Sequence, residues 1–65
     1  MSERKIKMAF NDGWTMGLLK VGRPKKVDAA IAGYDAQVAG KDYRDALNEY
    51  LQQVQGAIDE SLQRN

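Results

Sequence analysis

Apolar and polar positions follow two rhythms along the chain, and the change falls near Pro24. In Lys5-Ile6-Lys7-Met8-Ala9-Phe10 the residues alternate. That places Ile6, Met8 and Phe10 on one face of a strand and Lys5 and Lys7 on the other. Asn11-Asp12-Gly13 supplies residues that tolerate left-handed backbone angles, as a short hairpin loop with a glycine bulge requires. The return strand is expected from about Trp14 to Val21, with Gly17 marking a bulge or a close backbone approach. Residues 1–22 therefore read as a basic β-hairpin.

Beyond Gly22-Arg23-Pro24 the period becomes helical. Val27, Ala30, Ile31, Tyr34 and Val38 recur at three- and four-residue spacing, which predicts a helix over 27–39. Pro24 or Asp28 marks its start, and Gly40 is placed to end it in the left-handed conformation. Asp42 followed by Asp45 resembles a cap, a carboxylate accepting an orphan N–H at the start of a second helix over 42–64. The apolar stripe of that helix is Tyr43, Leu47, Tyr50, Leu51, Val54, Ile58 and Leu62. The expected architecture is one α+β domain over 1–65: an N-terminal β-hairpin, then a helical hairpin over 23–65 whose two antiparallel helices differ in length. At 1.5 Å per residue they would measure about 20 and 34 Å, so Ile58 and Leu62 outrun the shorter neighbour. An exposed apolar strip calls for a second copy of the chain or a foreign protein, with Trp14, Leu51, Val54, Ile58 and Leu62 as candidate interface residues.

Composition narrows the chemistry. The chain has 65 residues, 43 % apolar and 29 % charged, which suits a folded domain rather than a disordered one. A domain this short buries only about 60 % of its unfolded-chain surface and gains from outside support. With no cysteine and no histidine, disulfides, thiol nucleophiles, imidazole bases and thiolate or imidazole metal sites are all absent. Asp42/Asp45 and Asp59/Glu60 are the densest carboxylate pairs, and both read as solvated helix faces. The expectation is a protein that is not an enzyme, with no cofactor, no metal and no small-molecule substrate. No apolar run approaches the roughly 18 residues of a membrane span, and the start lacks the apolar segment of a signal peptide. A cytoplasmic, non-membrane protein is expected.

The net charge of +1 conceals a division. Residues 1–26 carry seven basic and two acidic side chains, and residues 27–65 carry three basic and seven acidic ones. A basic segment on an acidic scaffold suggests contact with an anionic partner. Within that segment Gly22-Arg23-Pro24-Lys25-Lys26 resembles the core of AT-hook peptides, whose extended Gly-Arg-Pro backbone lies in the narrow minor groove of A·T-rich DNA. In such a setting Gly permits close approach, Pro holds the chain extended, Arg enters the negative groove and the lysines meet phosphates. AT-hooks carry arginine before the glycine, where this chain has Val21. The alternative reading of the same five residues is a plain strand-to-helix connector, with Gly22 supplying an unusual backbone angle and Pro24 starting the helix.

A further likeness lies in Tyr43-Arg44-Asp45-Ala46-Leu47-Asn48-Glu49-Tyr50-Leu51, which resembles the second helix of ribbon-helix-helix repressors. Here the turn before Tyr43 is shorter than that family's loop. The leading expectation is a small dimeric DNA-binding or regulatory protein using Lys5, Lys7, Lys20, Gly22, Arg23, Pro24, Lys25 and Lys26. The alternative is a protein–protein interaction module, such as a phage-type adaptor or inhibitor of a host protein.

Overall fold

The computed structural model describes the backbone of residues 3–63 and side chains as far as residue 55. These residues form three helices and no strand: α1 over Glu3–Leu18, α2 over Asp28–Val38 and α3 over Tyr43–Gln63. The expected α+β fold is overturned, because the segment read as a β-hairpin is one continuous helix. Counted in steps of two, Ile6, Met8 and Phe10 share a face; counted in helical steps, Ile6, Phe10, Gly13 and Gly17 do. The second set is buried, while Met8 is 59 % exposed. Asn11-Asp12-Gly13 does not turn the chain but lies mid-helix. The paired strands that a ribbon-helix-helix likeness implies have no counterpart among the described residues.

Glycine explains the difference. A Cβ at Gly13 would overlap the Ala30 carbonyl oxygen and lie 2.8 Å from the Ala30 Cα. A Cβ at Gly33 would overlap the Phe10 carbonyl oxygen and lie 3.0 Å from the Trp14 nitrogen. At these points no side chain separates α1 from α2, and each glycine is a contact surface rather than a helix breaker. Gly17 lies beside Gln37, and Ile6 lines one depression with Asp28 and Ala29. Early residues of α1 thus meet early residues of α2, and late meet late. The two helices run in the same direction, and the connector 19–27 carries the chain back.

Close approach also decides which face of α2 turns inward. Ala29, Ala30, Gly33 and Ala36 are buried, whereas of the expected stripe only Ala30 is. Ile31 and Tyr34 are half-buried, and Val27 and Val38 are exposed. α2 is apolar around much of its circumference, so hydropathy alone does not orient it; the need for small residues against the glycines of α1 does.

α3 follows a short turn and runs back along both neighbours. Phe10, 1 % exposed, is the centre of the packing, with Ile6, Ala29, Ala36, Ala46 and Leu51 around it. Its ring meets Tyr43 and Tyr50, each with centroids 5.9 Å apart, and Trp14 stands edge-on to Tyr43 at 5.2 Å and 79°. Such aromatic pairs add about 0.5–1.5 kcal/mol each to the burial they accompany.

The helix ends are closed by recognisable local chemistry. After α1, the Lys20 N–H donates to the Gly17 carbonyl and the Val21 N–H to the Met16 carbonyl, with Lys20 at φ 59°. After α2, the Gly40 N–H donates to Gln37 and the Lys41 N–H to Ala36, with Gly40 at φ 78°. Both are Schellman closures. α3 opens as expected, the Asp45 N–H donating to Asp42 Oδ2 at 3.2 Å. At 11 and 21 residues, α2 and α3 span about 16 and 31 Å, so the unequal pair is present. The side chains of Ile58 and Leu62, with Asp59 and Glu60, lie outside the described residues.

Candidate nucleic-acid interface

Because α1 and α2 run in the same direction, their first turns share one end of the molecule. Arg4, Lys5 and Lys7 come to that end on α1, and Lys25 and Lys26 come to it on the bend before α2. Lys26 and Ile6 line the same surface depression, together with Val27, Tyr50 and Val54. All five basic residues are exposed. Glu3 and Asp28 lie among them, and the Lys7 Nζ is 3.5 Å from Glu3 Oε1 across one helical turn. An exposed pair of this kind leaves both side chains free to rotate away. Two helix N-termini at the same end add partial positive charge.

The structure divides the other expected DNA contacts. Lys20 sits in the left-handed closure at the opposite end of α1, away from Lys25 and Lys26. Gly22 is exposed with nothing within 4 Å of its missing Cβ, and Pro24 is half-buried. Arg23 is held. Its Nε donates to Asp35 Oδ1 at 2.9 Å and its Nη2 to Asp35 Oδ2 at 2.8 Å, tying the connector to α2 through a planar two-point fork. The hydrogen bond and the charge of Asp35 raise the guanidinium pKa, and the same hydrogen bond holds the Asp35 carboxyl below its ordinary range.

The candidate interface residues also separate. Leu51 is buried within the core, and Trp14 and Val54 are half-buried against it. Among the described residues the exposed large apolar side chains are others: Met8 on α1, Val27 just before α2, Leu18, Leu19 and Val21 where α1 ends, and Val38 where α2 ends. Gly17 beside Gln37 places these two helix ends together. Sequence reasoning missed Arg4 and Asp35. Arg4 belongs to the same charge run as Lys5 and Lys7, so its signal was present. Asp35 lies twelve residues from Arg23, and no local spacing links them.

Among the described residues no helix is long and apolar enough to cross a membrane. Comparison with known proteins finds no matching family model, no matching curated protein and no matching solved structure.

Proposed function

We propose that this chain is a small non-enzymatic DNA-binding protein that meets the phosphate backbone with its basic end. The observation that carries the reading is that the first turns of α1 and α2 share one end of the molecule, where Ile6 and Lys26 line one depression, so that the basic segments 4–7 and 25–26 both belong to that end. Lysine and arginine so placed neutralise phosphates and release counterions, an interaction that falls steeply with salt. Fluorescence anisotropy with a labelled duplex tests this. Binding at low ionic strength should weaken as salt rises, and the double variant Lys25→Ala/Lys26→Ala should lower the slope of log K against log salt by about two. Absence of binding at low salt, or an unchanged slope in the variant, defeats the reading.

A second reading, contact with a protein partner or a second copy, is favoured by the exposure of Leu18, Leu19, Val21 and Val38. Affinity purification with and without nuclease separates the two. A stoichiometric protein retained after nuclease treatment and moderate salt supports the second.

A further inference from the structure

From the Arg23–Asp35 geometry we infer that Arg23 is a masked phosphate-binding residue: Asp35 fills its fork in the free protein, and a backbone phosphate of the DNA replaces Asp35 on binding. The inference rests on the DNA-binding reading and adds to it a contact and a means of control.

The chemistry of the exchange is direct. A guanidinium fork accepts a carboxylate or a phosphate with the same two parallel N–H donors, so one can replace the other without a change of rotamer class. Both partners are about half exposed, their side chains keeping 55 % and 51 % of their accessible surface. An incoming phosphate can therefore reach the pair from solvent. The surroundings suit an incoming strand, because Gly22 has open space where a side chain would be. Two residues of extended chain reach at most about 7 Å, which keeps Arg23 on the same backbone track as Lys25. Asp35 thus acts as an internal competitor, lowering affinity for a polyanion that must displace it from Arg23.

A purely structural clasp predicts something different. It stabilises the connector, and its removal loosens the fold without tightening DNA binding. Anisotropy with a duplex at fixed low salt distinguishes the two, using the wild-type chain, Asp35→Asn, Arg23→Ala/Asp35→Asn and Asp12→Asn. The last removes one negative charge from an exposed position of α1 that is not the partner of Arg23, and reports the effect of net charge. Asp35→Asn should bind about tenfold tighter than wild type, Asp12→Asn less than about twofold tighter, and the double variant should lose the Asp35→Asn gain.

Salt titration of Arg23→Ala gives an independent measurement that does not require Asp35→Asn to fold. Its slope should fall by about one relative to wild type if Arg23 reaches a phosphate in the complex. Equal affinities for Asp35→Asn and Asp12→Asn, a gain that survives removal of Arg23, or an unchanged Arg23→Ala slope each overturn the inference while leaving the lysine contacts standing. If the wild-type chain binds no duplex at low salt, the DNA-binding reading and the inference fall together.

Discussion

Replacing Gly13 or Gly33 by alanine probes the contact on which the arrangement of α1 and α2 depends. Judged as isolated helix positions, both changes should stabilise, since alanine is better than glycine in a helix interior by about 1 kcal/mol. The structure reverses that sign. At Gly13 the new Cβ would stand 2.8 Å from the Ala30 Cα, whereas carbon atoms at their optimal separation are about 3.5–4.0 Å apart. The helices must part by about 1 Å there, and by more to clear the Ala30 carbonyl oxygen. Both obstacles are backbone, so no side-chain rotation relieves them. Overpacking of this kind costs about 3 kcal/mol, which less the propensity gain leaves a net loss of about 2 kcal/mol. A 65-residue domain has only about 3–10 kcal/mol in total, and the loss should lower Tm by roughly 8–16 °C.

Two controls sharpen that expectation. At Gly17 the new Cβ would meet the Gln37 side chain rather than backbone: its Oε1 end can swing away, its Cβ at 3.0 Å must give by a little, and Gly17→Ala should fall within about 1 kcal/mol of wild type. Gly22→Ala meets nothing within 4 Å and should be neutral or stabilising by about 0.5 kcal/mol. Denaturant titration followed by circular dichroism at the helical band reads all four. If Gly13→Ala and Gly33→Ala raise the midpoint, as propensity alone demands, the close backbone approach of α1 to α2 is refuted.

Two further expectations concern single residues. Lys20 takes the left-handed position that closes α1, a conformation costing a non-glycine residue about 1 kcal/mol, so Lys20→Gly should raise the thermal midpoint by a few degrees; a lower midpoint would contradict the closure. Tyr50 has its pKa raised by burial, with a smaller push from Asp28. The folded state therefore holds that proton more tightly than the unfolded chain. The resulting stability is complete below the unfolded value near 10 and is lost as pH rises through the folded value. Unfolding midpoints measured from pH 9 to 11 should fall with pH, and Tyr50→Phe should flatten part of that fall; identical profiles would show that Tyr50 is not the group responsible.

Several features of the fold were legible because their causes are local. Gly40 ends α2 because a left-handed closure favours a residue without a Cβ penalty, and Asp42 opens α3 because a carboxylate three residues ahead reaches the orphan N–H of Asp45. The apolar stripe of α3 shows its helical period directly, and the greater length of α3 over α2 follows from it. The run of basic residues before Val27 is equally plain in the order of residues.

What escaped a local reading depends on partners distant along the chain. Gly13 and Gly17 have the same low intrinsic helix propensity wherever they occur, and Asn11-Asp12-Gly13 is as good a turn as any considered alone. Only Ala30 and Gly33, arriving from another helix, turn the absence of a side chain into a packing surface and make the first segment helical. The inward face of α2 has the same origin, since hydropathy favoured Val27 and Val38 and close approach selected Ala29, Gly33 and Ala36. Composition set the available charges and excluded imidazole and thiol chemistry. Tertiary packing of two helices in the same direction put the segment 4–7 at the same end as Lys26, left Lys20 at the far end, and put Asp35 in the grip of Arg23. The physical reason is that charge belongs to residues, whereas a charged surface belongs to the packing that brings distant segments together.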